Sequence, residues 1–134
     1  MERKLSELGS YLEQIKEFHN IKLSDYKNQW KIQRIIERTL HIMIETCIDI
    51  ANHIISDQGL RPPTGYADTF LVLFEGGIIN KSLCERLQKM AKFRNILVHR
   101  YEEVDPEIVI SILRRNLRDF ELFTKAILEF LHRN

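Results

Sequence analysis

The chain has few of the residues that interrupt secondary structure. Its 134 residues include 5 Gly and 3 Pro, too few turn formers for the many short strands of a sandwich or barrel. Cysteine is equally scarce. Cys47 and Cys84 make no C-x-x-C and both fall inside helical patterns, so no zinc finger, thioredoxin-type site or disulfide framework is expected. No apolar run approaches the roughly 18 residues needed to span a bilayer, and no membrane partner is expected. The opening MERKLSELGS carries charge but no apolar h-region or small-residue cleavage site, which makes the cytoplasm the expected compartment. Charge of one sign is also missing: 20 Lys+Arg against 19 Asp+Glu leave a formal net charge of +1. A polybasic nucleic-acid arm or an acidic tail is therefore excluded as the main feature, though a local basic patch is not.

What is present is helical periodicity. The length fits one domain over residues 1–134, with 44% hydrophobic and 29% charged residues. Leu5, Leu8, Leu12 and Ile15 recur at helical spacing, with Phe18 extending the stripe, and predict a first helix from about Arg3 to His19. Ser24 or Asp25 could cap the next, which runs without Gly or Pro to about Ser56. Its stripe of Ile32, Ile36, Met43, Cys47, Ile50 and Ile54 is widened by Ile35, Ile42, Ile44, Ile48 and Ile55, so it needs more than one neighbour. It is either the central helix of a bundle or part of a subunit interface. DQGLRPPTGY is the strongest break. A short helix follows from about Tyr66 to Phe74, ending at Gly76-Gly77. A fourth starts near Asn80 as N-cap and runs to about Val98. Asp105-Pro106-Glu107 restarts the chain as cap, first-turn proline and first-turn acid, and the last helix runs to about Leu131. The expected fold is all-α, an antiparallel bundle of four main helices plus one short helix.

Four constellations could carry chemistry. A helical di-metal site needs two E-x-x-H motifs and two further carboxylates. Only one such motif is present, Glu129 to His132, so no metal and no cofactor is expected. Glu37, His41, Glu45, Asp49 and His53 form a ladder of polar residues four apart on the long helix. Its steps drift about 40° each. The ladder reads as a solvated face of Glu/His pairs, or its later part lines a cleft in which Asp49 and His53 meet a ligand. Arg114, Arg115 and Arg118 read as solvated surface or as phosphate contacts.

The fourth is KFRNILVHRY, residues 92–101, which holds Arg94-x4-His99 and then Tyr101. The bare pattern is common, but this copy lies where a helix runs out. If both residues are helical they stand about 140° apart. An end near Val98 would free His99 to swing back towards Arg94. The chemistry suits RNA. Arginine binds a phosphate bidentately and stabilises charge building there. Histidine can take a proton from the ribose 2′-OH or give one to the leaving 5′-oxygen, and DNA lacks that internal nucleophile. A two-fold dimer would supply a second Arg94 and His99 across one cleft. The plainer reading is a surface salt bridge for Arg94, a helix-end cap for His99 and a packing ring for Tyr101.

The run KMAKFRNILVHRY, preceded by CIDIANHII, GLRPPTGYADTF and GIINKSLCERL, resembles the HepT-type toxins of the HEPN superfamily from about Ile35 to Phe123. The resemblance implies an all-α homodimer with two R-x4-H motifs facing each other. It implies a metal-independent endoribonuclease, in several relatives acting on tRNA. It also implies an MntA-type nucleotidyltransferase antitoxin that transfers AMP from ATP to the motif tyrosine. Arg94 and His99 match the ribonuclease pair, Asn95 the supporting polar residue and Tyr101 the modified tyrosine. AMP there would add charge and bulk two residues from His99. The alternative function is a non-catalytic nucleotide- or RNA-binding module, or a docking module for the nucleotidyltransferase. A plain helical dimerisation protein is a third.

Overall fold

The computed structural model describes residues 1–133. Among these, α-helices alternate with short 3-10 and π turns, and there is no strand. The helices are α1 (Glu2–Ile15), α2 (Leu23–Asn28), α3 (Trp30–Gln58), α4 (Tyr66–Glu75), α5 (Lys81–His99), α6 (Pro106–Ser111) and α7 (Leu117–Arg133). No helix of the described residues is long and apolar enough to cross a membrane.

The long helices α1, α3, α5 and α7 form the bundle. α1 packs on α3 and α7, and α5 also packs on both. α4 lies against α3 and α5, and α2 against α3 and α6. The over-wide apolar surface of α3 follows from this position, since each flank meets a different neighbour. Ile36, Leu40, Met43, Ile50 and Ala51 are fully buried, while Ile35 stays exposed. The Phe70 and Phe123 rings meet edge to face, 6.2 Å apart, joining α4 to α7. Asp119, buried on α7, lies 3.1 Å from Arg86 Nε on α5 and accepts from Asn116.

Two expected helices are interrupted. The second does not run unbroken from Ser24 or Asp25. It starts after Lys22, stops at Asn28, and Gln29 (φ −113°, ψ 88°) turns the chain before α3. This corner seats Tyr26 in the core, where its hydroxyl donates to Glu37 Oε2 at 2.6 Å. The last helix contains a π segment over Ile112–Asn116. Val109, Leu113 and Leu117 are four apart and all buried. The core side of the helix therefore continues through the wider turn. The capped ends match the expectation. Asn80 Oδ1 accepts from Leu83 N at 2.8 Å, and Asp105 Oδ1 accepts from Glu107 N at 2.9 Å ahead of Pro106.

Candidate active site

Arg94 is one of few charged residues in the interior, at 8% exposure. α5 carries it between α3 and α4, where its guanidinium has partners on three sides. Nε and Nη2 donate to Glu45 Oε1 at 3.1 and 2.5 Å, and Nη1 donates to Asn95 Oδ1 at 3.1 Å. Its Cζ stands 4.6 Å from the centre of the Tyr66 ring, whose electron-rich face favours the cation. Five N–H groups less these three leave one on each terminal nitrogen with no partner among the described residues. Two parallel N–H groups are what a bidentate phosphate contact uses.

Glu45 is the anchor of this arrangement. Burial pushes its carboxyl up, but the hydrogen bonds from Arg94 and the nearby His41 outweigh that and hold it below the usual carboxylate range. His41 Nε2 lies 2.9 Å from Glu45 Oε1, poorly directed for a hydrogen bond. Arg38 Nη1 lies 3.2 Å from His41 Nδ1. Arginine only donates, so Nδ1 accepts and the ring proton is on Nε2, towards Glu45.

His99 is the last residue of α5 and lines a recess of about 380 Å³ with Gly65, Tyr66, Asn95 and Arg100. The expectation that the helix ends at Val98 and frees His99 is not met. Arg100 N donates to Ile96 O at 2.9 Å, which winds His99 into the last turn, and Arg100 (φ −136°, ψ 49°) then leaves the helix. Arg94 and His99 therefore make no direct contact. They are related through Tyr66 and Asn95: Arg94 touches both, and His99 shares the recess with both.

The loop before α4 fixes Tyr66. Arg61 donates to both Asp68 carboxylate oxygens at 2.8 and 2.9 Å and to Glu75 at 2.8 Å. Thr64 N donates to Asp68 Oδ2 at 2.9 Å. The Arg61 hydrogen bond, and then that of Thr64, hold the Asp68 carboxyl far below the usual range.

Tyr101 lies just past the helix end, 43% exposed, on a different cavity. This one measures about 170 Å³ and is lined by Arg34, Glu37, Arg38, His41, Leu97 and Tyr101. Arg34 Cζ is 5.7 Å from the centre of its ring. Burial and then Glu37 raise the pKa of the phenol above its ordinary value, while Arg34 opposes the shift.

The later rungs of the polar ladder are not part of either cavity. Asp49 pairs with Lys4 at 3.7 Å and His53 with Asp57 at 3.1 Å, both in exposed positions. The earlier rungs, Glu37, His41 and Glu45, face the motif instead. The cause is the 40° drift per step: the ladder starts against α2 and α5 and ends at the surface beside α1. Arg114 donates to Ile21 O at 3.3 Å and is otherwise exposed surface. A cavity of about 740 Å³ between the start of α5 and the end of α7 contains none of the motif residues. Sequence reasoning missed Tyr66, Glu45 and Arg34. Tyr66 was embedded in GLRPPTGYADTF, and the ladder held Glu45 without revealing which rungs turn inward.

Comparison with known proteins gives a consistent picture. The chain is 38% identical over 104 residues to the mRNA nuclease HepT of Shewanella oneidensis, covering 78% of each. It is 32% identical over 133 residues to the tRNA nuclease HepT of Aphanizomenon flos-aquae, covering 98% of this chain and 89% of the relative. A solved structure of the tri-AMPylated Shewanella oneidensis HEPN toxin in complex with MNT antitoxin superposes with a TM-score of 0.87, at 32% identity and over 95% of each chain. The family model described as ribonuclease HepT-like matches residues 8–127, and the chain belongs to that family.

Proposed function

We propose that the protein is the toxin of a toxin–antitoxin pair, an endoribonuclease that works as a homodimer and is silenced when an MNT-type nucleotidyltransferase places AMP on Tyr101. The observation that carries this is the Arg94 guanidinium. It is held by Glu45, Asn95 and Tyr66 beside the His99 recess, with two N–H groups left over. The names of the relatives support the reading.

In the reaction, Arg94 binds the scissile phosphate and offsets the charge that builds on its oxygens. His99 takes the proton of the ribose 2′-OH. The 2′-oxygen forms a bond to phosphorus, the bond to the 5′-oxygen breaks, and the products are a 2′,3′-cyclic phosphate and a 5′-hydroxyl. The leaving oxygen needs a proton at the same time, and the matching imidazole of a second copy supplies it. The 2′-oxygen is the nucleophile, so the step asks nothing of a metal ion. Exposed Tyr66, Val98 and Tyr101 border the motif on α4, on α5 and in the turn that follows. They supply apolar surface for the second copy to cover.

The test is cleavage of labelled RNA by the purified protein in EDTA. The wild type is expected to cut. His99→Ala is expected to lose cleavage while keeping its helical circular dichroism, and retained cleavage in that variant refutes the assignment. RNA binding that depends on Arg94 without turnover would favour a binding module instead. Co-expression with the nucleotidyltransferase, followed by mass measurement, is expected to add AMP units to the Tyr101 peptide.

A further inference from the structure

Glu37 is the residue whose surroundings the ribonuclease chemistry does not use. It is 6% exposed, and its Oε2 accepts from the buried Tyr26 hydroxyl at 2.6 Å. Its other oxygen, Oε1, is buried with no hydrogen-bond partner among the described residues. A carboxylate oxygen without a partner in the interior costs free energy unless something else uses it. Glu37 lines the same small cavity as Tyr101. The charged and titratable groups around it are Tyr26 from α2, Arg34, Arg38 and His41 from its own helix, and Tyr101 from the turn after α5. Tyr26 is already committed to Oε2, which leaves the Tyr101 phenol as the O–H donor that borders the cavity.

We propose that Glu37 is the proton acceptor for Tyr101 when that side chain takes up AMP, so that the toxin carries the base for its own modification. This rests on the reading that Tyr101 is the AMP acceptor. The phenol oxygen forms a bond to the α-phosphorus of ATP, the bond from that phosphorus to the β-phosphate bridging oxygen breaks, and pyrophosphate leaves. The phenol proton passes to Glu37 Oε1. Burial and the Glu37 charge raise the phenol pKa, so little phenolate exists at neutral pH and a base has work to do. A carboxylate accepting a hydroxyl proton during attack on phosphorus is the arrangement kinases use. Arg34, facing the ring, is placed to hold the new phosphodiester.

The experiment compares AMP transfer from ATP to the full-length chain by its cognate MNT-type nucleotidyltransferase, read by intact mass over time. Glu37→Gln keeps an acceptor for Tyr26 but removes the base. Its initial rate at pH 7 is expected to fall by about 10²-fold, the usual scale of general-base catalysis. The ratio of wild-type to variant rates is expected to shrink as pH rises and more of the phenol ionises without help. A merely structural role would not give that pH dependence. Tyr26→Phe keeps the carboxylate and is expected to stay within a few-fold of wild type. Equal rates for Glu37→Gln and wild type at pH 7, or a deficit that does not change with pH, overturn the assignment of Glu37. A wild type that takes up no AMP on Tyr101 overturns the modification reading and this inference together. RNA cleavage by unmodified Glu37→Gln protein reports separately on the ribonuclease reading.

Discussion

Glu45→Gln is the most direct probe of how Arg94 is held. The substitution keeps an acceptor oxygen and the side-chain shape but removes the charge. Wild-type Glu45 receives two hydrogen bonds from a guanidinium that is itself 8% exposed. Hydrogen bonds to charged groups contribute about 1.5–3 kcal/mol against about 1 for neutral ones. The Glu45 side chain is 40% exposed, so solvent screening trims the difference to about 1 kcal/mol. For a chain of this size that is a fall in Tm of about 3–4 °C. The pH dependence fixes the sign. Arg94 and His41 leave the folded-state carboxyl below its ordinary value despite burial. Its contribution is therefore fully present above the unfolded value of about 4.3 and is lost as pH falls through the folded one. Urea unfolding at fixed protein concentration should show the gap at pH 7 and a gap that narrows as pH falls below the unfolded value. A variant as stable as wild type at pH 7, or a gap that does not narrow on acidification, would refute the claim that charge holds this guanidinium.

Other consequences are simpler to check. Tyr26→Phe strips Glu37 of its one hydrogen bond and should cost about 1–3 kcal/mol, the penalty for a stranded buried acceptor, measured by urea denaturation; no loss would mean that water reaches Glu37. Asn80→Ala removes the side-chain cap on Leu83 N and should cost about 1 kcal/mol, with an unchanged midpoint arguing that backbone geometry alone starts α5.

Much of the fold was legible because helices advertise themselves by period and by caps. Asn80 and Asp105 did what side chains of their type do at helix starts, and Gly76-Gly77 closed α4. The two breaks that were missed, at Gln29 and over Ile112–Asn116, carry neither glycine nor proline. The first arises from a tertiary demand, since Tyr26 turns inward to meet Glu37; the wider turn over Ile112–Asn116 has no local sequence signal. The site was legible as a list and not as a geometry. The spacing of Arg94, Asn95, His99 and Tyr101 pointed to them together. The structure puts Asn95 and His99 on one cavity and Tyr101 on another, and Tyr66 enters from the start of α4. The single-chain route from His99 back to Arg94, which a frayed helix end would have given, does not exist.

The division into two cavities raises the question of how AMP on Tyr101 reaches Arg94. α3 supplies a route through consecutive rungs. Glu37 borders Tyr101, His41 borders the same cavity, and Glu45 holds Arg94. Arg38 contacts His41 Nδ1, and that contact fixes the ring proton on the side of Glu45. A phosphodiester on Tyr101 adds negative charge to the cavity that Arg38 lines, and a guanidinium binds phosphate more strongly than a neutral ring nitrogen. Arg38 should therefore turn from His41 to the phosphate, leaving Nδ1 bare and the Glu45 contact less well oriented. Nitrogen NMR of His41 before and after modification measures this, with a change at Nδ1 as the expected result. Unchanged Nδ1 and Nε2 signals in fully modified, inactive protein would mean that AMP silences the site by occupying space alone.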